Sequence, residues 1–263
     1  MNEPGRKNTT DSYMWVYSSG KNCEHQVRLF EYQPGRSGKY LQEFLKGFKG
    51  YLHTDAYKGN EKVEGITRCF CWTHLRRYFV DALPKDVNSP EATLPSKAIG
   101  FINKLFEAEK KLEILSPEGR KEERLLQEKP VLDAFCSWVS DTAPAVMRKS
   151  KLGEAFGYAI NQQEGLMNYL LDGNCSVSNN LAENSIRLFT IGRKNWLFSG
   201  SPKGAAASAG VYTLIETAKA NGLNPTKYIQ FILSDIPGTS FRQHPEFIED
   251  YMPWDPMTQK LCR

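Results

Sequence analysis

The strongest constraint on this chain is a change of periodicity about a third of the way along it. Up to Thr73 the apolar residues come in short runs rich in aromatic and β-branched side chains, and from residue 96 they recur every three or four positions. A period of two buries one face of a strand, whereas a period of 3.6 buries one stripe of a helix. No single repeating unit carries both patterns, and the sequence contains no internal repeat.

Ser12–Ser18 (SYMWVYS) and Val27–Tyr32 (VRLFEY) read as strands, and Gly20–Asn22 between them suits an antiparallel pair. Pro34-Gly35 is a turn signal. Lys39–Phe48 carries Tyr40, Leu41, Phe44, Leu45 and Phe48 at helical spacing. Gly50–Thr54 and Ile66–Thr73 are further strand candidates, and helical spacing resumes through Leu75, Phe79 and Leu83. The order β-β-α-β-β-α predicts an α/β fold with a mixed sheet. Pro84–Pro95 reads as a polar linker.

Residues 96–172 read as an all-helical insertion, with apolar stripes through Ile99–Leu115, Val131–Val139 and Leu152–Leu171. Within it the charged stretch Lys110–Lys129 is expected to be a solvated surface. Ser178-Asn179-Asn180 can cap a helix running to about Ile191, followed by a short strand or loop at Trp196–Ser199. Ala205–Ala220 is a helix closed by Asn221-Gly222, and Pro225 starts a last one through Leu233. Residues 236–263 contain four prolines and are expected to form an irregular tail with Trp254 packed. The chain thus divides into 1–95, the first part of the core; 96–172, the insertion; 173–235, the Glu183 helix and the rest of the core; and 236–263, the tail.

Composition excludes several classes. With 40% hydrophobic and 24% charged residues, the chain is neither disordered nor collagen-like. No run approaches 18 apolar residues, so no membrane span is expected. Met1–Asn8 has no apolar signal core, so a cytoplasmic location is expected. Net charge is +4, a mild bias compatible with nucleic acid. The basic residues are clustered: Arg68, Arg76 and Arg77 in one group, Arg187, Arg193, Lys194 and Lys203 in another. Six cysteines in a reducing compartment read as free thiols. Cys71-x-x-His74 lacks the second half of a zinc site and reads as a buried thiol and a polar histidine.

Two acids are candidates for chemistry. Asp55 stands where an apolar strand ends, a position that suits a metal ligand, a catalytic acid or a cap for the Ala56–Gly59 turn. Glu183 lies in the first turns of the Asn179 helix, where it can ligate a metal or pair with Arg187 one turn on. Carboxylates converging on two Mg²⁺ ions about 3.5–4 Å apart are the two-metal arrangement of phosphodiester chemistry. Arg187, Arg193 and Lys194 can then contact phosphates, with Trp196 and Phe198 stacking on an unpaired base. His74, Arg76 and Arg77 open the helix after the Ile66 strand and can also face phosphate.

The string Asn179–Ser201, NNLAENSIRLFTIGRKNWLFSGS, closely resembles the catalytic-Glu segment of the insertion-sequence 66 family of DDE transposases. So do Thr54–Tyr57 (TDAY), Cys71–Arg77 (CWTHLRR) and Lys203–Ala209 (KGAAASA), and Ile236–Trp254 resembles the family's C-terminal segment. The resemblance implies an RNase H-like mixed sheet with a large helical insertion and an Asp, Asp, Glu site holding two Mg²⁺ (or Mn²⁺). Asp55 corresponds to the second Asp and Glu183 to the Glu, both as metal ligands. His74, Arg76, Arg77, Arg187, Arg193, Lys194, Trp196 and Lys203 are expected to contact DNA. The implied reaction is nicking at element ends, then attack of the freed 3′-OH on target DNA, carried out by a transposase multimer.

This sequence departs from the pattern in three places. The first Asp and its strand have no counterpart ahead of Asn2–Lys7. Ser178 replaces the usual Asp before the two Asn, and Leu188 stands where Pro is frequent. The resemblance therefore implies a sheet lacking its first strand and a truncated, inactive chain. The alternatives are a non-catalytic remnant that binds DNA or full-length transposase, and a Mg²⁺ nuclease of the same fold.

Overall fold

The computed structural model describes residues 5–7, 9–56, 63–84, 93–196 and 199–263; the side chains of residues 188 and 193–196 lie outside that description. The architecture is mixed α/β. Strands β1 (Tyr13–Ser18) and β2 (Arg28–Gln33) form an antiparallel pair in register Tyr13↔Gln33 to Ser18↔Arg28. Helix α1 (Gly38–Phe44) leads to β3 (Gly50–Thr54), which pairs in parallel with β4 (Ile66–Phe70). Helix α2 (Trp72–Asp81) follows at once, so the Ile66 strand stops at Phe70 and Thr73 is helical.

The described residues make two two-stranded sheets, β1-β2 and β3-β4. Each pair closes an outer edge with side chains instead of a third strand. On β2 the Arg28 and Phe30 N–H groups donate to the hydroxyls of Thr217 and Thr213, at 3.1 and 2.9 Å. Thr217 also donates back to the Arg28 carbonyl at 3.0 Å, and the Asn221 amide donates to the Gln26 carbonyl at 2.7 Å. Thr213, Thr217 and Asn221 are spaced four apart along α9 (Pro202–Ala220) and its C-cap. Four helical residues rise about 6 Å, close to the roughly 6.7 Å covered by two strand residues. One helix face thus reads alternate residues of the strand edge. On β4, the Asn168 amide donates to the Arg68 carbonyl at 2.9 Å.

The insertion is helical as expected: α3 (Leu94–Leu112), α4 (Pro117–Gln127), α5 (Lys129–Thr142), α6 (Lys151–Asn161) and α7 (Gln163–Met167). Thr93, Ser116 and Ser150 cap α3, α4 and α6 by accepting from the N–H three residues on. Their apolar stripes meet α2 in one core. Phe79 packs edge-to-face on Phe135 and Phe156, with ring centroids 6.3 and 5.7 Å apart. The Trp72 indole N–H donates to the Leu166 carbonyl at 2.8 Å, so the largest buried ring is also hydrogen-bonded.

Three expectations need correction. Helix α8 (Asn180–Trp196) continues past Ile191 through Trp196, so Trp196 itself is helical; of the stretch expected as a strand or loop, residues 197–198 lie outside the described residues and Ser199 is in no helix or strand. The closing stretch is more regular than its prolines suggest: Pro256 starts α11 (Pro256–Cys262), capped by Asp255. Tyr228 of α10 (Pro225–Asp235) donates to the Tyr251 carbonyl at 3.0 Å, and Trp254 stacks on His25 at 4.5 Å. Finally, the Lys110–Lys129 stretch is not wholly a solvated face, because Arg120, Arg124 and Glu128 are buried. The chain forms two compact units, Gly38–Asn180 and Met1–Ser37 with Leu181–Arg263.

Candidate active site

Within the unit Gly38–Asn180, β3 ends at Thr54 and delivers a half-buried Asp55 at its C-terminal end. The register sets His53 opposite Cys69 and Thr54 opposite Phe70. Both strands therefore finish together, and open ends of parallel strands are where α/β folds place their sites. The ring nitrogens of His53 are buried, and burial, aided by the charge of Arg124, lowers its pKa to about 4, so the ring is neutral near pH 7. The phenol of Tyr158 on α6 reaches the same place. Burial pushes its pKa up to about 12, with the negative character of Cys71, Tyr78 and Asp55 adding to the effect.

The segment 172–179 is fastened beside β4. The Trp72 N–H donates to the Val177 carbonyl at 3.1 Å, and the Asn179 N–H donates to the Cys71 sulfur at 3.4 Å. Burial pushes the Cys71 thiol up, but His74 and the Asn179 N–H outweigh it, leaving the pKa lowered. The sulfurs of Cys69 and Cys175 lie 3.9 Å apart as free thiols. No side chain fits at Gly173, where a Cβ would run into the Pro117 carbonyl.

The insertion holds this segment through two arginines that sequence reasoning missed. Arg120 donates to the Gly173 carbonyl at 2.9 Å and to carbonyls of Leu112, Glu113 and Leu115. Arg124, 1% exposed, donates to the carbonyls of Tyr169, Asp172 and Cys175 at 3.1, 3.1 and 2.8 Å. It also pairs in bidentate fashion with Glu109 at 2.5 and 2.9 Å. A guanidinium offers five donors in a fixed fork, which is what such a set of carbonyls requires. Beside it, Tyr169 donates to Glu128 at 2.6 Å, and burial, together with Glu109, raises the Glu128 carboxyl to about 8. Nothing local separates these charges from solvated neighbours such as Glu122, so the sequence carries no signal for them.

Other sequence candidates divide by position. His74 is half-buried on the first turn of α2; Arg76 donates to Asn103 Oδ1 at 3.0 Å; Arg77 is exposed. Glu183 belongs to the other unit, half-buried in the first turn of α8, where the helix dipole favours an anion. Arg187 is exposed one turn on, and Lys203 is exposed at the start of α9. The side chains of Arg193, Lys194 and Trp196, and the whole of Phe198, lie outside the described residues.

Carboxylate oxygens are the donor type that Mg²⁺ or Mn²⁺ prefers, and Asp55 and Glu183 both supply it. Among the described residues, however, no three His, Cys, Asp or Glu side chains converge to hold an ion. Each residue by itself thus offers the donor type that such an ion takes. No described helix is long and apolar enough to cross a membrane.

The fold and site define a mixed α/β protein with a large helical insertion, one acid at a strand end and another at a helix start. The chain belongs to the IS66 transposase family: residues 1–207 match the family model "Transposase IS66 family" and residues 213–254 match the "IS66 C-terminal element". It is 30% identical over 84% of its length to the uncharacterized protein y4hP of Sinorhizobium fredii, covering 42% of that protein. It is 32% identical over 96% of its length to y4qI of the same organism, covering 48% of that protein. The chain thus spans about half the length of the curated relatives it matches. No solved structure matches it.

Proposed function

We propose that this chain is part of the catalytic core of a DNA transposase, with Asp55 and Glu183 as two of the carboxylates that bind the metal. The observation carrying the reading is a half-buried Asp55 at the end of a parallel strand pair, within a family match that also spans the Glu183 helix. An RNase H-like sheet is the fold we propose for the complete core. In its support, an antiparallel pair precedes a parallel pair along the chain, the order such a sheet has on the two sides of its first strand. When bound, two Mg²⁺ or Mn²⁺ ions supply activation of the attacking oxygen and stabilisation of the leaving one. Asp55 and Glu183 hold negative charge toward the ions. Arg187, Arg193, Lys194 and Lys203, with His74, Arg76 and Arg77, neutralise DNA phosphates, and Trp196 stacks on a base. The partners are element ends and target DNA, handled by a multimer.

The test is nicking of an element end in Mg²⁺ by a protein of the relatives' full length carrying this segment. Asp55→Asn and Glu183→Gln should each abolish cutting while DNA binding persists; cutting retained by both refutes the assignment. Residues 1–263 alone are proposed to bind DNA without cutting it. Mg²⁺-dependent strand transfer by residues 1–263 alone would overturn that.

A further inference from the structure

We propose that an open groove along α6 binds a single DNA strand, with Tyr78 and Tyr158 as its stacking platform and Arg148, Lys149 and Lys151 as its phosphate contacts. The inference deepens the transposase reading and rests on it. The groove lies wholly within the unit Gly38–Asn180 and encloses about 1080 Å³. Tyr78 of α2 and Tyr158 of α6 form part of its wall, with ring centroids 4.9 Å apart. Tyr78 is 39% exposed. An exposed aromatic ring against a second ring gives an unpaired base a π-face on which to stack; in a duplex the base faces are already covered.

Charge points to the same occupant. Arg148, Lys149 and Lys151 are exposed within four positions of one another at the start of α6, and Arg148 lines the groove. None of them forms an ion pair among the described residues. Glu154 is the acid on the wall, so cations outnumber it locally.

The probe is fluorescein-labelled single-stranded oligothymidylate, titrated with residues 1–263 in EDTA and read by anisotropy. Tyr78→Ala should weaken binding about tenfold and Tyr78→Phe should leave it unchanged. Replacing Arg148, Lys149 and Lys151 by Gln should reduce the slope of log K against log salt by about two. The same change at Lys110, Lys121 and Lys260, which stand on α3, α4 and α11, should alter it less. Circular dichroism confirms that each variant keeps its helices. The proposal is overturned if the parent does not bind, if the folded Tyr78→Ala and triple-Gln variants bind as the parent does, or if a duplex binds more tightly with no dependence on Tyr78. Because no metal or cleavage enters the assay, its failure is separate from retained cutting by the Asp55 and Glu183 variants.

Discussion

The two compact units hold themselves together by different means. The unit Gly38–Asn180 buries one broad aromatic and aliphatic core, and threads a charged network of Glu109, Arg124, Glu128 and Tyr169 through its edge. The unit of Met1–Ser37 with Leu181–Arg263 has a smaller buried cluster around Ala218, Leu223, Tyr228 and Cys262, and fixes its strand edge with threonine and asparagine side chains. Apolar burial is non-directional and scales with area, whereas a hydrogen-bond latch depends on register. The first unit should therefore tolerate conservative core changes and fail when its buried charge is unbalanced. The second should be sensitive to single hydroxyls.

The largest effect should come from Arg124→Ala. Removing one partner of a buried pair leaves the other charge unpaired and costs about 3–5 kcal/mol. Urea unfolding should register that loss, and Arg124→Lys should not restore it, because an ammonium cannot serve three carbonyls and a carboxylate together. A loss below about 1 kcal/mol would mean that the network is not what fastens the segment 169–175.

Next comes Thr217→Val, which keeps the shape but orphans the Arg28 N–H and carbonyl, at a cost of about 1–3 kcal/mol. Amide exchange should quicken at Arg28 and leave the β3–β4 amides unchanged. Equal quickening in both sheets would erase the distinction between the units.

The pH dependence sharpens the comparison further. Glu128 has a folded pKa raised from 4.5 to about 8, so between those values the folded state binds more protons than the unfolded state. Its contribution to stability is thus present at low pH and is lost as pH rises from about 4.5 to about 8. Glu128→Gln should flatten that decline, most visibly near pH 8, when ΔG is measured across this window. An unchanged slope would place the titration elsewhere.

The smallest effect should be at Asp133→Ala. Its ion pair with Lys129 is about half exposed on both sides, and its loss should cost no more than about 0.5 kcal/mol. A larger loss would show that α5 depends on its surface as well as its core.

Much of this molecule was legible without its structure. Four strands, the helical insertion, the start of the Asn179 helix and the Asn221-Gly222 stop were all visible, because period and turn residues act over a few positions. Asp55 and Glu183 were legible as candidates through their places in strings. Their placement at a strand end and in a first helical turn followed from the same local signals.

The remaining features depend on residues far apart along the chain. Thr217 is an ordinary helix residue until α9 lies beside Arg28, 189 positions away. Arg124 looks like any surface arginine of a charged helix until its fork meets carbonyls 45 to 51 residues on. Tyr158 reads as one member of an apolar stripe until α6 sets it against Tyr78 and near Asp55. The family, the elements and the two candidate acids could be read from contiguous patterns. Which polar groups are buried, and what satisfies them, was decided by packing, because a hydrogen bond between remote residues leaves no period in the chain.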